Sequence, residues 1–321
     1  MDTTVWAWIG FHAMVFLVLA LDLGVFHRRS HRVSVREAGI WTLVWITLSL
    51  AFNGLIWLWR GPEDALNFLT GYLVEYSLSV DNIFVFVLLF SYFRVPPQYQ
   101  HRVLFWGILG ALLMRGTMIL LGAALVERFE WILYLFGAFL LVTGVRLIFQ
   151  DDDPDVDPQR NLLVAIARRL LPITPEMQGD RFFVRDSGRF SATPLFLVLL
   201  IVESTDLIFA VDSIPAIFGI THDPFIVYTS NICAILGLRS LYFLLAGVME
   251  SFYYLRYGLA IILSFIGVKM LTPLVTGWFL GGHSLHIPNT VSLAVIALTL
   301  ITAIAASIIR SRRLMTATDS Y

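Results

Sequence analysis

The sequence predicts an all-α fold, a polytopic transmembrane helical bundle of about nine spans, and three observations carry that prediction. The 321-residue chain is 58% apolar and only 14% charged. Its mean hydropathy is +0.79. Apolar stretches long enough to cross a bilayer recur from near the first residue to near the last. A bilayer core takes about 20 apolar residues per helical span, and a helix satisfies its own backbone polar groups where water is absent. Such a composition excludes an ordinary soluble domain and, with it, a nucleic-acid partner. The net charge of -1 conceals a strong segregation of sign along the chain. The single cysteine, Cys233, excludes an internal disulfide and a thiolate metal cluster.

Apolar runs bounded by charge or by Pro and Gly give nine candidate helices: 5–26, 37–59, 65–93, 103–126, 130–149, 194–219, 225–249, 255–275 and 287–309. The first has no basic segment before it and no small-residue cleavage pattern after it, so it reads as a retained span. Trp57 and Trp59 near the end of the second read as an interfacial belt. The chain divides into two N-terminal spans (1–64), a three-helix unit (65–149), a loop (150–193), a second three-helix unit (194–275) and a last span with its tail (276–321). The loop is polar and Pro-punctuated. Its acidic run Asp151, Asp152, Asp153, Asp155 and Asp157 reads as a solvated segment, and its partly apolar stretch 161–171 as a short amphipathic helix on the membrane surface.

If the spans alternate, sixteen arginines fall on one side: Arg28, Arg29, Arg32, Arg36, Arg94, Arg102, Arg160, Arg168, Arg169, Arg181, Arg185, Arg189, Arg256, Arg310, Arg312 and Arg313. Only Arg60 and Arg128 fall on the other. The positive-inside rule then places the first group in the cytoplasm, with the amino terminus outside and the carboxyl terminus inside.

The chain also repeats itself. Glu75-Tyr76-Ser77-Leu78-Ser79-Val80-Asp81-Asn82 is matched by Asp206-Leu207-Ile208-Phe209-Ala210-Val211-Asp212-Ser213, each an acid, five residues ending in Val, then Asp and a small polar residue. Ile108-Leu109-Gly110 recurs as Ile235-Leu236-Gly237, each followed by an arginine within the apolar run, Arg115 or Arg239. Gly144-Val145-Arg146 lies 17 residues after Glu127, and Gly267-Val268-Lys269 lies 17 residues after Glu250. A three-helix unit copied directly after itself reverses its orientation. The two units are therefore expected to form an inverted repeat about an axis in the membrane plane, with a substrate site near the midplane.

Each carboxylate at the centre of a span costs roughly 2.5–3.5 kcal/mol on insertion. Glu75, Asp81, Glu203, Asp206 and Asp212 together represent on the order of 10 kcal/mol that salt bridges, protonation or a bound cation must offset. Arg115 and Arg239 lie centrally and are the expected structural charge partners, whereas Arg146 and Lys269 reach an interface by snorkelling. Two central cations cannot neutralise five acids. Six residues of regular helix advance about 9 Å and turn roughly 240°, so Glu75 and Asp81 would not share one coordination sphere on a straight helix. Pro215 deprives the Val211 carbonyl of its helical partner, and a helix break over 212–215 would expose backbone oxygens beside Asp212. The candidate ligands Glu75, Asp81, Asn82, Glu203, Asp206, Asp212 and Ser213 are all oxygen donors, which suit Mn2+, Mg2+ or Ca2+. Asn53 and Asn231 read as interhelical hydrogen-bonding groups, Asp22 as interfacial, and His12 as a packed or hydrogen-bonded residue rather than a ligand.

Three stretches carry a family resemblance: Thr70-Gly71-Tyr72-Leu73-Val74-Glu75 through Asp81-Asn82, Phe182-Phe183-Val184-Arg185, and Glu203-Ser204-Thr205-Asp206 through Asp212-Ser213-Ile214-Pro215-Ala216. With these the chain resembles the TerC family of membrane proteins, and within it the Alx-type members, over nearly its whole length. The resemblance implies a multi-spanning protein of the bacterial cytoplasmic (inner) membrane, tied to tellurium resistance or, for Alx-type members, to export of excess Mn2+. Tellurite is an anion that a carboxylate-lined site repels, so the chemistry favours a cation.

Two functions are therefore expected. The first is a transporter that exports a divalent metal ion, Mn2+ foremost, and exchanges it for protons by alternating access. Its partners are that metal ion, protons as coupling ion and the lipid bilayer, with no permanently bound cofactor. The alternative is a membrane scaffold or assembly factor whose buried polar network only fixes helix packing, linked indirectly to tellurium resistance. An enzyme is not expected, because no Ser/His pair, His-Glu-x-x-His or Gly-x-Gly-Asp motif occurs.

Overall fold

The computed structural model describes residues 5–21, 34–149, 162–186, 189–246, 253–279, 285 and 287–318. In chain order these form α1 (Val5–Leu21), α2 (Val35–Arg60), α3 (Pro62–Tyr92), α4 (Pro97–Arg128), α5 (Ile132–Phe149), α6 (Leu162–Leu170), β1 (Phe183–Asp186), β2 (Arg189–Ala192), α7 (Pro194–Phe218), α8 (Pro224–Leu236), α9 (Leu238–Leu245), α10 (Leu255–Phe279) and α11 (Asn289–Thr318). Among the described residues eight units are long and apolar enough to cross a membrane: α2, α3, α4, α5, α7, α8 with α9, α10 and α11. α1 is apolar but shorter than these spans. The rest of its expected span, with Asp22, and the acidic run lie outside the described residues.

Proline sets several starts. α3, α4, α7 and α8 each begin with Pro at the first helical position, where its missing N–H leaves no bond unmade and its fixed φ suits the helix. α2 begins instead on Ser34, whose hydroxyl accepts the Glu37 N–H at 3.2 Å, an N-cap in Ser-x-x-Glu sequence. α2 passes into α3 through Gly61 at φ +97°, a conformation that favours glycine. Beside that corner Arg60 bonds Asp64 at 2.7 Å and also Asp223, the N-cap of α8, whose carboxylate accepts the Phe225 N–H at 2.8 Å. The α2–α3 corner is thereby pinned to the start of α8.

Three expectations are corrected. The predicted span 225–249 is two helices, because Gly237 interrupts it; glycine gains least from helix. α4 starts at Pro97 rather than 103, since the turn from Gln98 to Arg102 is helical although too polar to read as membrane. The loop 150–193 holds, besides α6, an antiparallel hairpin that pairs Phe183 with Ala192 and Asp186 with Arg189, so the fold is helical with one small β element. The hairpin's Phe183 packs on Phe190 and Phe196, with ring centroids 5.1 and 4.5 Å apart. α6 matches the amphipathic stretch expected there: Val164 and Ala167 are buried, while Leu163, Ile166 and Leu170 are exposed.

Inside the bundle, α3 packs on α8, α4 on α7, and α5 on α10. Every residue of α8 from Phe225 to Leu236 is buried. Small residues bring α5 and α10 into backbone contact. A Cβ at Gly144 would lie 2.7 Å from the Ser264 nitrogen and 2.8 Å from the Ala260 oxygen. One at Gly267 would lie 2.6 Å from the Gly137 oxygen and 2.7 Å from the Leu141 nitrogen. In lipid, where apolar burial alone drives little association, such close approach supplies the packing. Several hydroxyls within the spans bond their own helix, as Thr205 does to the Ile201 carbonyl at 2.7 Å and Thr229 to the Phe225 carbonyl at 2.7 Å, which removes the cost of an unpaired donor there.

Candidate functional site

The repeated acids lie on α3 and α7, and helical rotation decides which of their neighbours join them. A step of seven residues returns to within roughly 20° of the starting direction, whereas a step of six leaves the side chain about 120° away. Glu75 and Asn82 thus share one face of α3, and Asp206 and Ser213 share one face of α7. These two faces meet. The Asn82 amide donates to Asp206 Oδ1 at 3.4 Å, and Arg115 Nη1 bonds both Ser213 Oγ and Glu75 Oε1. The first polar residue of one helix therefore sits level with the last of the other, so α3 and α7 run antiparallel across the site.

Arg115 of α4 fills the space between them. Its Nε donates to Asp206 Oδ2 at 3.0 Å and its Nη2 to Asp206 Oδ1 at 2.8 Å. Its Nη1 donates to Glu75 Oε1 and, at 3.2 Å, to Ser213 Oγ. From α8, Asn231 Nδ2 donates to Glu75 Oε2 at 2.9 Å. Relative exposure is 0% for Glu75 and Asn231, 1% for Arg115, Asn82 and Ser213, and 3% for Asp206. Low dielectric makes each of these charge-assisted bonds strong and leaves an unpaired member costly. Both amides face acceptor-only carboxylates, which fixes their orientation and turns each carbonyl oxygen away. Among the described residues no donor reaches Asn82 Oδ1, Asn231 Oδ1 or the nearby Ser79 Oγ.

The other expected site residues lie elsewhere. Asp212 is half-buried and takes a hydrogen bond from Thr143 of α5, as its sixfold step from Asp206 dictates. Asp81 lies on α3, and its side chain is outside the described residues. Glu203 seats its carboxylate against Gly110 of α4, where any Cβ would collide with it. Arg239, on α9, lines a narrow cleft that Asp206 also borders, while the cation bonded to both Glu75 and Asp206 is Arg115. The expected break at Pro215 is not formed. α7 is continuous to Phe218, because the ring removes one bond within a turn of the helix end and the Gly219 N–H still reaches the Pro215 carbonyl at 3.0 Å. Among the described residues no three His, Cys, Asp or Glu side chains come together at metal-ligating spacing.

Asn231 makes the interhelical bond expected of it. His12 is satisfied, through Trp8 O at 2.8 Å and the Tyr228 hydroxyl at 2.9 Å, while Asn53 Oδ1 finds no donor among the described residues. Lys269 donates to Asn289 Oδ1 at 2.5 Å, at the start of α11. It lines, with Glu127, Glu130 and His222, a cavity of about 770 Å³ at the end of the bundle where α4 and α7 finish.

Residues 60–314 match the model of the integral membrane protein TerC family. The chain belongs to that family. It is 52% identical over 305 residues to "Uncharacterized membrane protein STKORF319" of Myxococcus xanthus, covering 95% of this chain and 92% of that one. It is 51% identical over 298 residues to "Putative membrane-bound redox modulator Alx" of Escherichia coli strain K12, covering 90% of each. A membrane protein of Rickettsia bellii is 41% identical over 304 residues, with 95% of this chain and 97% of the relative covered. No solved structure matches the chain. The TerC-family chain is an integral multi-pass membrane protein, and the two motifs that supply Glu75 and Asp206 lie within the matched region.

Proposed function

We propose that this TerC-family protein exports a divalent metal ion, Mn2+ foremost, from the cytoplasm across a bacterial inner membrane, with its amino terminus outside and its carboxyl terminus inside. The observation that carries the reading is the convergence of Glu75 and Asp206, fully buried acids from two matched motifs, beside amide oxygens that have no donor among the described residues. Carboxylate and amide oxygens are the donors that hard divalent cations take. In this reading Asp81, Glu203 and Asp212 lie along the path of the ion and of the protons exchanged for it.

Alternating access needs two halves that move against each other. The crossed pairing, Asn82 with Asp206 and, through Arg115, Ser213 with Glu75, is what a twofold axis between α3 and α7 would produce. Aligning Gly144 with Gly267 pairs Leu141 with Ser264 and Gly137 with Ala260, and the α5–α10 contacts then exchange into one another. Both patterns support an inverted repeat.

The scaffold reading draws on one observation, that Arg115 already bonds both acids. The name of the Escherichia coli relative suggests redox work, for which this chain offers one buried cysteine, Cys233, and no second thiol. Cell-associated Mn, with other metals as controls, separates the readings. Deletion should raise it in Mn-loaded cells, and wild-type but not Glu75→Gln or Asp206→Asn protein should restore it. Unchanged metal content in every strain, with the variants folded and in the membrane, would remove the basis for transport.

A further inference from the structure

Building on that transport reading, we propose that Arg115 is an internal competitor of the transported ion: its guanidinium takes the two acids when the metal has left, and the metal binds by displacing it. The bond pattern makes the two occupants mutually exclusive. Both Asp206 oxygens and Glu75 Oε1 accept from Arg115, and Glu75 Oε2 accepts from Asn231. Every carboxylate oxygen thus accepts a hydrogen bond, and the positive guanidinium fills the space between the acids that a cation would need. Charge leads to the same conclusion. Glu75 and Asp206 against Arg115 leave one negative charge, and a divalent ion added to all three would leave one positive charge. With the guanidinium withdrawn, two acids and one divalent ion balance.

The Arg115-bound arrangement is also incompletely satisfied. Asn82 and Asn231, 1% and 0% exposed, point their donors at the acids and leave their oxygens without partners among the described residues. Arginine carries only donors, and those that point into the site are spent on Glu75, Asp206 and Ser213. A metal ion held by the same acids would let either amide turn over and offer it an oxygen. The site thus has two occupants of comparable fit, and exchange between them lets the ion leave a pocket that would otherwise hold it tightly. A competitor lowers apparent affinity by the fraction of time it vacates the site, so if Arg115 is seated about nine-tenths of the time the apparent Kd is raised about tenfold.

The test uses the full chain in lipid nanodiscs, titrated with Mn2+ and read by the electron paramagnetic resonance signal of the free ion, beside Mn2+ flux in proteoliposomes. Arg115→Gln should bind Mn2+ about tenfold tighter than wild type and move it more slowly. Arg115→Lys, whose ammonium cannot fork onto both Asp206 oxygens, should fall between them. If wild type transports Mn2+ while Arg115→Gln binds it no tighter, the competitor is refuted and the transport reading stands. If neither protein binds Mn2+, both fall together. Should Arg115→Gln fail to fold, Arg115→Lys decides alone, and an affinity no higher than wild type overturns the proposal.

Discussion

The coupling between Arg115 and Asp206 tests whether the buried cluster has the strength its geometry implies. Asp206→Asn keeps the shape and removes the charge, Arg115→Met removes the guanidinium at similar length, and the double variant closes a thermodynamic cycle. Two hydrogen bonds join the pair, at 3.0 and 2.8 Å, and the side chains are 1% and 5% exposed. Each bond to a charged group contributes about 1.5–3 kcal/mol, and breaking a buried ion pair costs about 3–5 kcal/mol because the survivor stays charged and desolvated. The expected coupling is therefore about 3–5 kcal/mol, well above the average of about 0.6 and ceiling of about 1.7 kcal/mol for interhelical hydrogen bonds in membranes. Unfolding free energies measured in lipid bicelles give the four corners of the cycle. A coupling below about 1 kcal/mol would mean that Asp206 is neutral or that water reaches the pair, and the reasoning about a desolvated ion site would be wrong.

Four further outcomes follow from particular contacts. Gly144→Leu should destabilise the protein by about 1–3 kcal/mol, since two of the three nearest atoms it meets are backbone and the helices must part; Gly54→Leu, with open space around its Cβ, should change stability by less than about 0.5 kcal/mol. Thermal unfolding of the two in one detergent compares them directly, and equal losses would contradict the close α5–α10 approach. Asp212→Asn should cost less than Asp206→Asn, about 1 kcal/mol against about 2–5 kcal/mol, because one meets the Thr143 hydroxyl and the other a guanidinium; the reverse order would place the ion pair at the wrong acid. Asn231→Leu should lose about 1–3 kcal/mol by withdrawing the 2.9 Å donor from fully buried Glu75, and a neutral result in the same unfolding assay would show that this bond is not formed. Burial, with Lys269 nearby and Glu130 opposing, holds the His222 imidazole below its ordinary 6.5. The unfolded chain therefore takes up a proton that the native chain refuses, so the neutral-His222 contribution is complete above that value and declines as pH falls below it. Melting temperatures at about pH 8 and about pH 5.5 should diverge more for wild type than for His222→Asn; parallel slopes would contradict the burial.

Much of the fold was readable because its cause is local. Span length follows from bilayer thickness, and the Pro and Ser starts of α2, α3, α7 and α8 are set by backbone chemistry within one turn. The misplaced features have local causes that hydropathy does not register: one glycine at 237 splits a span, and a polar turn continues α4 outward. The hairpin was signalled by Ser187-Gly188 between Phe183-Val184-Arg185-Asp186 and Arg189-Phe190-Ser191-Ala192, a two-residue turn signal between short alternating runs, but the loop's overall polarity concealed it. Asn231 was readable only as a generic interhelical group. Its role depends on α8 lying against α3, which no pattern within α8 discloses.

The repeated acids show where the division falls. Composition and spacing alone determined that the chain lives in a membrane, that its acids come in matched units, and that their charge must be offset, because these follow from the bilayer's low polarity and from residue counts. Helix rotation was also latent in the sequence: Glu75 with Asn82 and Asp206 with Ser213 differ by seven, Asp81 and Asp212 by six, and only the first set can share a face with its acid. Only the tertiary structure decided that Arg115, rather than Arg239, stands between the two acids, and that Asp212 turns to Thr143. A buried charge is neutralised by whatever side chain other helices bring within about 3 Å of it, and that choice belongs to packing among α3, α4, α7 and α8, not to any one of them.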